Sequence, residues 1–250
     1  MSEKDPQSRQ LILDFPVSPD FNFSNFVRSE GSEFAWQAAR QVSSSIDLPY
    51  HSLYFYGDRN LGKTHLLMAI GNAITENFPD KKIIFINGRE FVRKFSENNA
   101  HEITKVINPL LSTDYFLMDD VDLISGKPSV QEKLYHIYNT LLENNKTSIF
   151  TGRDRPEKLV AMEPYLKSRF QWGMTAEIKP IDDGTTAKII AKLAKDVGLS
   201  IPQKIIDFLL THIPRDFISI KTAVEKINKE SFARKRKVTL PLAKAALNLP

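Results

Sequence analysis

Between Leu53 and Met68 the chain reads LYFYGDRNLGKTHLLM, and no other stretch constrains the fold as strongly. An apolar segment, Leu53 to Tyr56, meets Gly57, and Gly62-Lys63-Thr64 completes the spacing G-x-x-x-x-G-K-[ST]. Leu66, Leu67 and Ile70 then recur at helical intervals. Strand, glycine-punctuated loop and helix form the context in which this spacing holds phosphates. Loop N–H groups and the positive end of the helix face the anion. Gly57, Asp58, Asn60, Leu61, Gly62, Lys63, Thr64 and His65 are therefore the expected nucleotide-binding residues. Lys63 would reach the β/γ oxygens, and Thr64 would ligate Mg²⁺.

The rest of the chain supplies the sheet that such a loop requires. Ile83–Ile86, Asp114–Asp120, Thr147–Thr151 and Met174–Ile178 read as four further short strands. Helical patterns lie between them at Glu90–Ser96, His101–Leu110 and Pro128–Asn144, and Ser32–Val42 precedes the loop. The expected fold class is α/β, a five-stranded parallel P-loop sheet flanked by helices. Its ligands would sit at the carboxyl ends of the strands, where Gly57, Asp119 and Thr151 fall. From Lys179 the texture changes to four helical stretches, with a short hairpin expected near Val238. That predicts a small helical domain over 179–250 behind a nucleotide-binding domain over 21–178.

Composition narrows the class. The chain has 250 residues, 42% hydrophobic and 26% charged, and no apolar run approaches a membrane span. The polar start MSEKDPQSRQ has no signal-peptide core, and the absence of cysteine excludes disulfides and thiolate metal sites. A cytoplasmic home is expected. The five histidines are scattered, without metal-ligand spacing, so no zinc is expected. A net charge of +4 permits acidic partners without demanding them. Arg234-Lys235-Arg236-Lys237 reads as a solvated helix end, with phosphate contact left open.

Two features remain. Asp119-Asp120 closes an apolar strand, the pattern in which Asp119 would hold Mg²⁺ and Asp120 would orient an attacking water. Asp122 reads as a surface or structural residue. Residues 1–20 read as an unpacked, proline-interrupted arm carrying Gln10-Leu11-Ile12-Leu13-Asp14-Phe15. In extended backbone Leu11, Leu13 and Phe15 share one face, which needs burial by its own domain or by a partner's groove.

These residues together resemble a known family. The loop ending GKTHLL, the Asp119-Asp120 pair, TSIFTGRDRPEKL, LKSRFQWGM and the helical Pro-Arg-Asp are similar to the AAA+ domain of the DnaA replication initiators. They also resemble that family's shorter Hda members, the regulatory inactivators of DnaA. The similarity runs from about Phe21 to Leu247. It implies an AAA+ domain with a helical lid, binding ATP or ADP with Mg²⁺. It also implies that Arg169 is an arginine finger acting in trans on a neighbour's nucleotide, and that Arg215 is the sensor 2 arginine. Phe26 and Val27 would pack around the adenine.

Several positions depart from the DnaA pattern. Asp58 and Asn60 stand where glycines are usual, and Asn60 tolerates the left-handed conformation. Tyr165, Arg153, Ser29 and Ser32 also differ, which bears on filament self-assembly and intrinsic hydrolysis rather than on nucleotide binding. No helix-turn-helix segment follows the lid before Pro250, so sequence-specific origin recognition is not expected of this stretch. Gln10, Leu11, Leu13 and Phe15 resemble the motif that docks on the polymerase III β sliding clamp. The resemblance thus implies a clamp-tethered regulator with DnaA and the clamp as partners. Homo-oligomers would be allowed, and DNA would be met through the clamp or weakly through basic surface. An ATP-hydrolysing initiator-like or helicase-loader-like factor, and a non-hydrolysing competitor of DnaA assembly, stay open as alternatives.

Overall fold

Five strands pair in parallel in the order β2-β3-β4-β1-β5. They are β1 (Ser52–Tyr56), β2 (Ile83–Asn87), β3 (Tyr115–Asp119), β4 (Thr147–Gly152) and β5 (Met174–Glu177). The computed structural model describes residues 15–45, 50–96 and 100–249, with the backbone alone at 100–105. Among these residues the helices are α1 (Glu33–Ser44), α2 (Lys63–Asn77), α3 (Gly88–Ser96), α4 (Ala100–Leu111), α5 (Pro128–Glu143) and α6 (Pro164–Gln171). Next in the chain come α7 (Asp183–Asp196), α8 (Gln203–His212), α9 (Phe217–Arg234) and α10 (Leu240–Leu247).

The strands are apolar on both faces because helices cover both. Tyr54, Phe116 and Phe150 pack into one cluster with Leu134, Tyr138 and Phe170 of α5 and α6. Their neighbours Leu53, Phe55, Leu117 and Ile149 point the other way, against Leu66, Leu67 and Ile70 of α2 and Ala35 to Val42 of α1. Successive strand residues face opposite sides, so nearly continuous apolar runs mark a sheet buried twice. The strand order sets β4 between β3 and β1. Three loop ends from distant parts of the sequence therefore meet on one rim.

The chain divides into two compact units. The first holds residues up to Phe26 and Phe34–Ile178, and the second holds Val27–Glu33 with Lys179–Pro250. In the second, Ile190, Leu209, Ile220, Val224, Ile227 and Leu242 from α7 to α10 make the core, and Val27 packs against it. Asp216 caps α9 by accepting from Ser219 N–H at 2.9 Å, and Asp182 caps α7 through Thr185 N–H at 2.7 Å. No helix of the described residues is long and apolar enough to cross a membrane.

Two expectations fail. No hairpin forms near Val238 among the described residues. Val238 lies between α9 and α10 with its side chain buried, and Thr239 caps α10. A β-branched pair reads as strand locally, but here it anchors a helix–helix connection. The part of the arm that is described is not unpacked either. Phe15 packs edge-on against Phe85 with ring centroids 6.5 Å apart. A Cβ at Gly71 of α2 would come within 2.2 Å of its ring, so the seat exists because residue 71 has no side chain. Asn72, buried beside it, donates to the carbonyls of Ser18 and Phe21 and clips the next turn of chain to α2. Gln10, Leu11 and Leu13 lie outside the described residues.

Candidate functional site: a phosphate loop and a surface arginine

The loop between β1 and α2 takes the shape that anion binding needs. Gly62 is left-handed at φ 94°, and a Cβ there would stand 2.7 Å from the Phe26 ring. Glycine is therefore required both for the backbone and for the close approach of Phe26. Asn60 takes the left-handed conformation at φ 62°, filling a place usually given to glycine. Lys63, only 6% exposed, donates to the carbonyls of Gly57 at 2.7 Å and Asp58 at 2.6 Å. An ammonium has three donors, so one direction remains for a phosphate oxygen. Burial pushes the Lys63 pKa down, opposed by the charges of Asp120, Asp119 and Asp122.

The carboxylates arrive from β3. Asp119, buried, accepts from the Thr64 hydroxyl at 2.8 Å through Oδ2 and from the Thr151 hydroxyl through Oδ1. The Thr151 hydroxyl in turn accepts from Asp120 N–H at 2.8 Å. That chain of bonds depends on β4 lying between β3 and β1, since Thr151 ends β4. Asp120 is left-handed at φ 53° and ψ 57°, a cost of about 1 kcal/mol or more outside glycine, of the kind that clusters at functional sites. Burial raises its pKa, and Asp119 adds to the rise against Lys63, Arg153 and Arg59. Asp122 accepts from Arg153 N–H at 3.2 Å and faces that guanidinium at 3.5 Å, a bracing role.

These residues fit a magnesium–nucleotide. Thr64 and Asp119 already share a hydrogen bond where a hydroxyl and a carboxylate would flank the ion. Lys63 and the loop N–H groups would hold the phosphates, and Asp120 would accept a proton from, or orient, the attacking water. A Mg²⁺ ion there would neutralise developing phosphoryl charge. Thr151, expected at this rim from its place at a strand end, gains a role here that the sequence did not give it. Its signal was a lone hydroxyl closing the apolar strand SIFT at the same rim.

Other expected residues fall elsewhere. The His65 side chain turns toward the segment before α1, its Nε2–H donating to Asn22 carbonyl at 3.0 Å between the rings of Phe21 and Phe26. The carbonyl can only accept, which fixes the proton on Nε2. Burial lowers the His65 pKa. Any direct role for it in nucleotide binding passes to its backbone. Phe26 lies on the loop in the first unit, while Val27 packs in the core of the second, so the expected pair is divided. Arg215 pairs with Asp183 at 2.8 Å inside the second unit.

Arg169 sits on α6, immediately before β5. The register sets Met174 beside Leu53, so α6 ends at the amino-terminal ends of β1 and β5. The phosphate loop leaves the other end of β1, about 16 Å away for a five-residue strand. Arg169 donates from Nε to Asn139 Oδ1 at 2.9 Å. Its guanidinium carbon is 4.5 Å from the Trp172 ring centroid and 5.6 Å from that of Tyr135. Trp172 is 68% exposed and Arg169 is half-buried, so the cation rests on a stiff aromatic platform with one edge at the surface. Tyr165 joins that platform edge-on to Tyr135, with centroids 4.7 Å apart.

A family model described as the bacterial DnaA ATPase domain matches residues 17–177, and one described as the Hda lid domain matches residues 183–247. Domain III of the Thermotoga maritima replication initiation protein DnaA is 30% identical with a TM-score of 0.79, over 93% of this chain and 98% of that one. A replication initiator DnaA bound to AMPPCP and single-stranded DNA is 30% identical with a TM-score of 0.78, over 88% and 68%. AMPPCP-bound DnaA from Aquifex aeolicus is 29% identical with a TM-score of 0.75, over 87% and 68%. The AAA domain of FIGL-1 with ADP shares the fold alone, at 13% identity and a TM-score of 0.66.

Proposed function

Because the chain belongs to the bacterial DnaA family of AAA+ ATPase domains, we propose that it is a nucleotide-binding regulator of replication initiation that acts on DnaA itself. It binds ATP or ADP with Mg²⁺ through Lys63, Thr64 and Asp119. It stimulates hydrolysis of DnaA-bound ATP by presenting Arg169 in trans, and the sliding clamp tethers it through residues 10–15. One observation carries this reading. Arg169 is stacked on the exposed Trp172 at the strand ends opposite its own phosphate loop, which supports a role outside its own pocket. A guanidinium placed beside a transferring phosphoryl group stabilises the spreading charge and is worth orders of magnitude in rate. The match of residues 183–247 to the Hda lid supports the same reading.

The clamp tether has a structural condition. Phe15 is the last residue of the Gln10–Phe15 motif and is seated on α2 and Phe85. Docking into a partner's groove therefore requires it to leave that seat. A tether would raise the local concentration of a weak encounter without adding contacts to DnaA.

A second reading rests on the completeness of the chain's own pocket. Lys63, Thr64, Asp119 and Asp120 are all in place, as in a factor that hydrolyses ATP for itself. The two are separated by mixing purified protein with ATP-loaded DnaA, with and without clamp on primed DNA. A regulator accelerates DnaA's hydrolysis in a clamp-dependent way, and the variant Leu13→Ala with Phe15→Ala loses the clamp dependence. An independent motor hydrolyses ATP alone, is stimulated by DNA, and tolerates that variant. Absence of any acceleration of DnaA's hydrolysis contradicts the proposal.

A further inference from the structure

The positive charge of this protein is concentrated in its second unit. Val27–Glu33 and Lys179–Pro250 carry fifteen Lys and Arg against nine Asp and Glu, a net of +6 when the whole chain is +4. Much of the excess stands on one turn, Arg234-Lys235-Arg236-Lys237, at the end of α9.

That turn is built, not frayed. Lys235 is left-handed at φ 50°, and its N–H donates to Phe232 carbonyl at 3.1 Å. Arg236 N–H donates to Ser231 carbonyl at 3.1 Å, and the Ser231 hydroxyl returns a 2.6 Å bond to Arg236 carbonyl. Buried Ile227 on one side and buried Val238 on the other fasten both ends to the core. The exposed side chains are thus carried on fixed backbone, which lowers the entropy cost of any ligand contact.

Phe232, on the same turn, is 84% exposed. Among the described residues Arg234 is paired with Glu230, whereas Lys229, Lys235, Arg236 and Lys237 enter no ion pair. A bare aromatic ring framed by unpaired cations on a rigid turn is chemically specific. The ring offers a face to a flat apolar surface, and the cations offer charge to anions on either side of it.

We infer that this turn binds single-stranded nucleic acid, with Phe232 stacked on an unpaired base and Lys235, Arg236 and Lys237 on the flanking phosphates. A lipid surface is the poorer fit, because interfacial anchoring needs a broad apolar face and this turn has one ring. Duplex nucleic acid would engage the cations but offers the ring no unpaired base. The inference stands on the second unit alone and does not depend on the role of Arg169 or of the clamp.

Anisotropy of a labelled oligothymidylate titrated with the full chain, over a series of salt concentrations, tests it. The wild type should bind, with affinity falling as salt rises. Arg236→Ala with Lys237→Ala should flatten the slope of log K against log salt by about 1.4, roughly 0.7 per phosphate contact. Phe232→Ala should weaken binding about 5- to 100-fold at unchanged slope, and Phe232→Trp should keep it. A duplex of equal length should bind more weakly and be indifferent to Phe232→Ala. These positions are exposed, so affinity for adenine nucleotide should be unaltered in every variant. No oligonucleotide binding by the wild type at low salt overturns the proposal. So does equal binding by all variants, or association with anionic vesicles in place of the oligonucleotide.

Discussion

The Thr64 hydroxyl, on the first turn of α2, donates a 2.8 Å hydrogen bond to Asp119 Oδ2 at the end of β3. Fifty-five positions apart in sequence, the two meet because α2 begins at the rim where β3 ends. They form the pair a magnesium–nucleotide would use. Thr64→Ala is expected to lower Mg²⁺-dependent nucleotide affinity about 10- to 100-fold, since a bond to a charged group is worth about 1.5–3 kcal/mol. Thr64→Ser should retain most of it. Fluorescent-nucleotide titration with and without EDTA measures both, and equal affinity for wild type and Thr64→Ala would count against the assignment.

Asp120 carries two costs, a left-handed backbone and a partly buried charge beside Asp119. Its folded pKa lies above its unfolded one, so its contribution to stability is complete below the unfolded value. That contribution is lost as pH rises through the folded value. Asp120→Asn removes the charge and keeps the shape. It should raise Tm at neutral pH by a few degrees while leaving nucleotide affinity within about threefold and reducing intrinsic hydrolysis. Calorimetry at pH 5 and 8 is the check, with the larger gain expected at pH 8.

His65 gives the opposite sign. Burial lowers its folded pKa below the unfolded value of about 6.5. The unfolded chain therefore binds the proton more readily, and stability falls as pH drops through that region. His65→Gln can still donate to Asn22 carbonyl and cannot charge. It should flatten the loss of Tm between pH 7 and 5, and a variant as pH-sensitive as wild type would show that another group carries the effect.

Phe15 and Gly71 make the arm testable. Gly71→Ala sets a methyl where the Phe15 ring now lies, while alanine suits the interior of α2 better than glycine. The expected outcome is a displaced Phe15, seen as faster proteolysis near residue 15. On the clamp reading, affinity for purified clamp should rise about threefold or more. Unchanged clamp affinity with a released arm would separate the seat from the tether.

The sequence carried the phosphate loop and the carboxylate pair because both are local patterns, each a few residues at the end of an apolar strand. Thr151 was legible as a residue at the same rim, but its bonds to Asp119 and Asp120 were not, since they exist only once β4 is inserted between β3 and β1. The seat of Phe15 was not legible because its partners, Gly71 and Phe85, lie more than fifty positions away. The assignment of Val27 to the second unit has the same cause. Val238 misled for a simpler reason: two β-branched residues after a basic run suggest a strand, and burial between two helices overrode that preference. Of the groups that hold Arg169, Trp172 is its near neighbour in sequence, but Tyr135 and Asn139 come from α5, thirty or more positions upstream.

The central claim is that the decisive group, Arg169, works in another protein's pocket. It is tested by single-turnover hydrolysis of ATP bound to DnaA, with clamp on primed DNA present, comparing wild type, Arg169→Lys and Arg169→Ala. The account predicts that Arg169→Ala loses the acceleration of DnaA's hydrolysis by at least a hundredfold. Its own nucleotide affinity and clamp binding should stay intact, and Arg169→Lys should restore little of the rate. Full acceleration by Arg169→Ala would contradict it.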